Sequence, residues 1–133
     1  AEDGAVLPSR ILVIDDEPDI AEILRDVLIA EGHVVEMAGG GREGLEKLSA
    51  TSFDLVFTDL GMPDVSGWEV AATVRESHPD LPVVLVTGWG ATVTKEEIAE
   101  NCIAAVVNKP FDIDSLVEVA TSILGRTSTD DPL

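Results

Sequence analysis

The feature that most narrows the folds open to this chain is a repeat of short apolar runs. Ile11-Leu12-Val13-Ile14, His33 to Ala38, Leu55-Val56-Phe57, Val83-Val84-Leu85-Val86 and Ala104-Ala105-Val106-Val107 are each strand-length, rich in Val and mostly without polar alternation. Runs of this kind belong to strands buried on both faces, as in a parallel sheet covered by helices. The second, with His33 and Glu36, is expected to be the least buried. Residues at helical spacing lie between and after the runs: Ile20, Ile23, Leu24, Val27 and Leu28; Leu45 and Leu48; Val70 and Val74; Ile98 with Cys102; Leu116, Val119, Ala120 and Ile123. The strand ends, near Ile14, Met37, Thr58, Val86 and Asn108, are 21 to 28 residues apart, one strand and one helix each time. This (βα)5 rhythm predicts right-handed crossovers and a single three-layer α/β sandwich.

Local signals agree with that frame. Ser66-Gly67-Trp68-Glu69 and Thr94-Lys95-Glu96-Glu97 carry the hydroxyl-to-carboxylate spacing of a capping box and predict the starts of the third and fourth helices. Gly39-Gly40-Gly41 reads as the turn into the second helix and not as a phosphate loop. Residues 1–9 and 125–133 lack periodicity and read as an N-terminal linker and a C-terminal tail around a domain at 10–124. The Ala1 start suggests a processed product or a segment of something longer.

Charge excludes some functions. Eight Lys and Arg against 26 Asp and Glu leave a net charge of -18, which repels nucleic-acid phosphates and anionic membranes. Autonomous nucleic-acid binding is not expected. No apolar run approaches the roughly 18 residues of a membrane span, and the first residues lack a signal peptide's features. The expectation is a soluble, cytoplasmic chain. Cys102 stands alone and reads as a small buried apolar residue, His33 and His78 as solvated, and Trp68 as packed against a loop.

In open α/β sheets ligands bind beyond the carboxyl ends of the strands, so the residues that follow each apolar run are the informative ones. Here they are Asp15-Asp16, Asp59, Thr87 and Lys109, the last followed by Pro110. Each alone is an ordinary turn, strand-end or surface residue. Together they predict three carboxylates, one hydroxyl and one ammonium at one sheet edge. Carboxylates about 4 Å apart repel by roughly 4 kcal/mol per pair at an effective dielectric near 20, so a cation is required. Lys109 supplies one charge, and an all-oxygen site suits Mg²⁺. A phosphate commonly partners such an ion, and its other oxygens could meet Lys109 and Thr87. Gly88 and Gly61 leave room for an incoming group and for the backbone after Asp59 to curl toward the ion. A cis Lys109-Pro110 bond would aim the lysine inward.

These residues resemble the receiver domains of two-component response regulators over roughly Arg10 to Leu124. The acidic pair lies in ILVIDDEPDI, the acceptor aspartate in DLVFTDLGMPDVSGWEV, the switch hydroxyl in VVLVTGWG and the lysine in VVNKPF. The resemblance implies a flavodoxin-like sheet of order 2-1-3-4-5. It implies Mg²⁺-dependent transfer of a phosphoryl group onto Asp59 from a phosphohistidine of a histidine kinase or histidine phosphotransfer domain. Asp16, Asp59 and the Gly61 carbonyl would bind the metal directly, Asp15 partly through water, and Lys109 and Thr87 would hold the phosphoryl oxygens. Phosphorylation is expected to draw Thr87 inward and reshape the face formed by the fourth helix, the fifth strand and the fifth helix, where a homodimer could form.

The chain departs from that pattern in places. Val106 stands where the family commonly has Tyr or Phe as an inward-turning aromatic, and Trp89 is a candidate substitute. Gly61 and Trp89 occupy the positions that tune acyl-phosphate hydrolysis, and neither can orient water with a polar side chain, so slow self-dephosphorylation is expected. A degenerate, non-phosphorylated scaffold is the main rival. A haloacid-dehalogenase-like phosphatase would carry Asp-x-Asp after the first strand, and an FMN site would be repelled by Asp15-Asp16-Glu17. The polar flanks and the DLGMPDVSGWEV and VTGWG stretches favour a receiver excised from a hybrid sensor kinase or attached to another module.

Overall fold

All five apolar runs form strands. The structure, a computed structural model, describes residues 9–88, 93–109 and 111–128. In chain order the elements are β1 (Arg10–Ile14), α1 (Pro18–Ala30), β2 (Val34–Ala38), α2 (Gly41–Ala50), β3 (Leu55–Asp59), α3 (Gly67–Ser77), β4 (Val83–Thr87), α4 (Lys95–Glu100), β5 (Ala105–Asn108) and α5 (Ile113–Ser128). The strands form one parallel sheet of order β2-β1-β3-β4-β5. That is the flavodoxin-like order the resemblance implies.

Alternation along each central strand divides the core between the two faces of the sheet. Ile11, Val13, Leu55, Phe57, Val84 and Val86 pack with Leu24 and Leu28 of α1 and Leu116 and Ala120 of α5. Leu12, Ile14, Val56 and Leu85 pack on the other face with Leu48 of α2 and Val70 and Val74 of α3. Phe57, Ile11, Leu12 and Leu85 are fully buried, and each such side chain stabilises the fold by roughly 2 kcal/mol. β2 is an edge strand and the least buried of the five, with Val34 exposed.

Helix ends follow from local chemistry. Ser66 and Thr94 form complete capping boxes with Glu69 and Glu97. α1 begins instead with Pro18 in its first turn, and Glu17 before it makes no side-chain cap. At its C-terminus the Gly32 N–H donates to the Ile29 carbonyl and the His33 N–H to that of Leu28, with Gly32 at φ 95. This is a Schellman closure, which requires the left-handed conformation glycine adopts freely.

Four sequence expectations need revision. Cys102 is exposed, not buried. α4 stops at Glu100, and Cys102 follows in the left-handed region at φ 55, so it shares no helical stripe with Ile98. It closes α4 as Gly32 closes α1: its N–H donates to Ala99, and the Ile103 N–H donates to Ile98. His33 is buried, not solvated, and its Nδ1 accepts the Ser9 N–H at 3.1 Å because the turn out of α1 folds it under the start of β1. Burial lowers its pKa below the usual histidine value. Finally, α5 continues through Ser128, four residues into the stretch that reads as tail.

Candidate phosphoacceptor site

Parallel register puts the chemistry-bearing residues at one edge. Ile14 pairs with Thr58, Asp59 with Val86 and Thr87 with Asn108, so β1, β3, β4 and β5 all end at the same level. Asp15, Asp59 and Thr87 are buried there at 2%, 7% and 0% exposure, and Asp16 is exposed.

Carboxylate oxygens of Asp15, Asp16 and Asp59 all lie within 4.8 Å of one another. Lys109 reaches into this group from the end of β5. Its Nζ is 3.3 Å from Asp59 Oδ1, 3.3 Å from Asp15 Oδ2 and 3.1 Å from Glu17 Oε1. The Glu17 carboxylate is available for this because it does not cap α1. Its N–H donates to Asp15 Oδ1 at 2.9 Å, which fixes the turn after β1.

The balance of charge remains unfavourable. Burial pushes the Asp15 carboxyl above its ordinary pKa, with repulsion from Asp59 adding to it, against the opposing pull of the Glu17 N–H and Lys109. Burial likewise raises Asp59, helped by the Asp16 charge and opposed by Lys109. For Lys109, burial works against its charge, but the hydrogen bond to Glu17 and the charges of Asp15 and Asp59 outweigh it and raise its pKa. One ammonium therefore leaves the two buried aspartates short of compensation. Asp15 Oδ2 is buried without a hydrogen bond despite its ion-pair contact with Lys109. An unsatisfied buried carboxylate oxygen beside two more carboxylates is a donor set that fits a hard divalent cation.

Thr87 has a partner that the sequence reading did not foresee. Its hydroxyl donates to Asn108 Oδ1 at 2.9 Å across the β4–β5 pair. A sequence signal existed, since Asn108 directly precedes Lys109 and ends an apolar strand. Gly61 lies exposed in the loop after Asp59, where a Cβ would meet nothing within 4 Å. Val106 is half-buried on β5 and packs against the α2–α3 side of the core. Trp68 is half-buried and packs against the core on that same side. Trp89 and Pro110 lie outside the described residues.

Comparison with known proteins agrees with this geometry. A family model for the response regulator receiver domain matches residues 11–121. The chain belongs to that family. It is 33% identical over 125 residues to the response regulator MprA of Mycolicibacterium vanbaalenii, covering 94% of this chain and 54% of that protein. It is 29% identical over 121 residues to the transcriptional regulatory protein GlrR of Escherichia coli, covering 91% of this chain and 27% of that one. The receiver thus spans about a quarter to a half of these regulators. Among solved structures, the response regulator TrrA from Thermotoga maritima superposes with a TM-score of 0.77 at 36% identity, covering 86% of this chain and 98% of that one. The receiver domain of NtrX from Brucella abortus gives 0.80 at 31% identity over 86% and 97%. Receiver domains are signalling modules that take phosphate from histidine kinases, and the aspartate cluster of this receiver suits a phosphoacceptor role.

Proposed function

We propose that this receiver takes a phosphoryl group from a partner phosphohistidine onto Asp59 and itself promotes the transfer. The observation that carries this is the convergence of Asp15, Asp16, Asp59 and Lys109 on one point. An Asp59 oxygen attacks phosphorus in line, the phosphorus–nitrogen bond of the donor breaks, and the donor histidine, already protonated on its other ring nitrogen, takes the bonding pair and leaves as neutral imidazole. Asp16, Asp59 and the Gly61 carbonyl would hold Mg²⁺ directly and Asp15 partly through water, and the ion would supply neutralisation of the phosphoryl charge. TrrA, the similar protein, has been crystallised with Mg²⁺-BeF. Lys109 moves with its ion pair from Asp59 to a phosphoryl oxygen, and the Thr87 hydroxyl exchanges its Asn108 acceptor for another. That exchange would draw Thr87 inward, release its link to Asn108 on β5 and reshape the α4-β5-α5 face, where a homodimer would also form.

The domain acts in the cytoplasm, and among the described residues no helix is long and apolar enough to cross a membrane. Its boundaries are near residue 10, where β1 begins, and the end of α5 at Ser128. Gly61 and Trp89 offer no polar group of suitable reach to orient an attacking water, so phospho-Asp59 is long-lived. Gly61→Asn fits the open space beside Gly61 and shortens that lifetime.

Incubation with Mg²⁺ and a small phosphodonor tests the reading. One alkali- and hydroxylamine-labile phosphoryl group per chain, located at Asp59, supports it. Continuous release of phosphate would indicate a phosphatase, and absence of an adduct a non-phosphorylated scaffold.

A further inference from the structure

The glycine run Gly39-Gly40-Gly41 has no role in the site just described, yet it is where the loop after β3 meets α2. Helix α2 begins without a cap of its own, because Gly40 at its N-cap has no side chain to accept an N–H. Asp64, from the β3–α3 loop, fills that place. Its Oδ1 accepts the Gly41 N–H at 3.2 Å and its Oδ2 the Arg42 N–H at 3.1 Å, and Oδ1 also accepts the Val65 N–H at 2.7 Å. At Gly41 the approach is close enough to demand glycine, because backbone is met there; at Gly40 the atoms met belong to the Asp64 carboxylate, which can shift. A Cβ on Gly40 would lie 2.9 Å from Asp64 Oδ2, and one on Gly41 would lie 2.6 Å from both Cβ and the carbonyl oxygen of Val65.

Both ends of this bridge are tied to the site. On one side, a Cβ on Gly44 of α2 would collide with Ile14, the residue before Asp15, so the helix sits directly on the strand that delivers the acidic pair. On the other, Asp64 lies in the loop that contains Gly61. That loop is held at Leu60, whose N–H donates to Val86 and whose carbonyl accepts the Gly67 N–H, and at Met62, which is buried. Gly61 has open space around it, so its carbonyl is placed by these neighbours.

We propose that Asp64 is a positioning residue for the metal site, anchoring the Gly61 loop to the N-terminus of α2 so that the Gly61 carbonyl is held in register with Asp15, Asp16 and Asp59. This rests on the reading of those residues as Mg²⁺ ligands. The amide hydrogen bonds, first from Arg42 and then from Val65, keep the Asp64 carboxyl below its ordinary pKa, so the anchor stays ionised. The helix dipole acts in the same sense.

Isothermal titration with MgCl₂ on the full chain, paired with thermal unfolding in the absence of metal, tests the proposal. Asp64→Ala should weaken Mg²⁺ binding about 10-fold, the scale seen when outer partners of metal ligands are removed. Asp64→Asn keeps an acceptor oxygen and should restore affinity to within about 2-fold of the wild type, since Asn and Asp are comparable caps. Leu124→Ala, on α5 in the core of the other face of the sheet, should lower Tm and leave Mg²⁺ affinity unchanged. Wild-type affinity in Asp64→Ala overturns the proposal. So does an equal loss of affinity in Leu124→Ala, which would make the effect one of general stability. Absence of Mg²⁺ binding in the wild type would overturn the metal-site reading itself, and the anchor with it.

Discussion

The two edges of the sheet treat polar groups in opposite ways. At the amino edge, where the strands begin, the polar groups pair. The Arg10 N–H donates to Asp54 Oδ2 at 2.8 Å, the Arg10 guanidinium meets Glu36 at 3.1 Å, and His33 accepts the Ser9 N–H. At the carboxyl edge, like charges crowd together, two buried aspartates have raised pKa values, and Asp15 Oδ2 has no hydrogen bond. An edge that only has to fold satisfies its polar groups within the chain. An edge that must receive a cation and a phosphoryl group leaves part of that compensation to the ligand.

The sharpest way to break this contrast is to remove the central charge. Asp59→Asn should abolish phosphoryl uptake from a small phosphodonor, read by intact mass. It should also raise the metal-free Tm, by about 4 °C if about 1 kcal/mol of repulsion is relieved. A lower Tm would mean that the carboxyl edge is as well compensated as the other. Lys109→Met should do the reverse to stability, leaving the carboxylates without the ammonium, and should slow phosphoryl uptake about 100-fold in single-turnover measurements. An unchanged rate would deny the lysine any part in transfer.

Asn108→Ala takes the acceptor from the buried Thr87 hydroxyl and should cost about 1 kcal/mol in urea unfolding. If stability does not change, that hydrogen bond is not an anchor of the resting state. The smallest effect belongs to the amino edge. Because the folded-state pKa of His33 is lowered, the unfolded chain binds a proton before the folded one does as pH falls. The stability linked to His33 is thus complete above its ordinary pKa of about 6.5 and is lost as pH drops below it. His33→Asn, which keeps an acceptor for the Ser9 N–H, should unfold with less change in urea midpoint between about pH 7.5 and pH 5.5 than the wild type. Equal pH dependence would show that His33 titrates normally in the fold.

The strands were legible because burial on both faces leaves little choice but Val, Ile and Leu over four or five residues. The two capping boxes were legible because their chemistry is local. Cys102 was misread because the pattern Ile98–Cys102 matches a helix, whereas the closure of α4 puts Cys102 in the left-handed region instead. His33 was misread because solvation of a single polar residue depends on what lies above it, here the start of β1. The polar residues after each strand stood out as candidates, but Asn108 and Asp64 did not, since an Asn or Asp near a turn has many ordinary uses.

By itself the sequence determined the alternation of elements, the polar residues at the strand ends and the excess of negative charge, because each depends on neighbours within a few positions or on simple counting. Only the tertiary structure decided that Glu17 shares Lys109 with Asp15 and Asp59, that Thr87 rests on Asn108, and that Asp64 caps a helix 22 residues upstream of it. Those contacts join residues far apart in the chain, and their geometry is set by the register of a parallel sheet whose strands meet only after long crossovers.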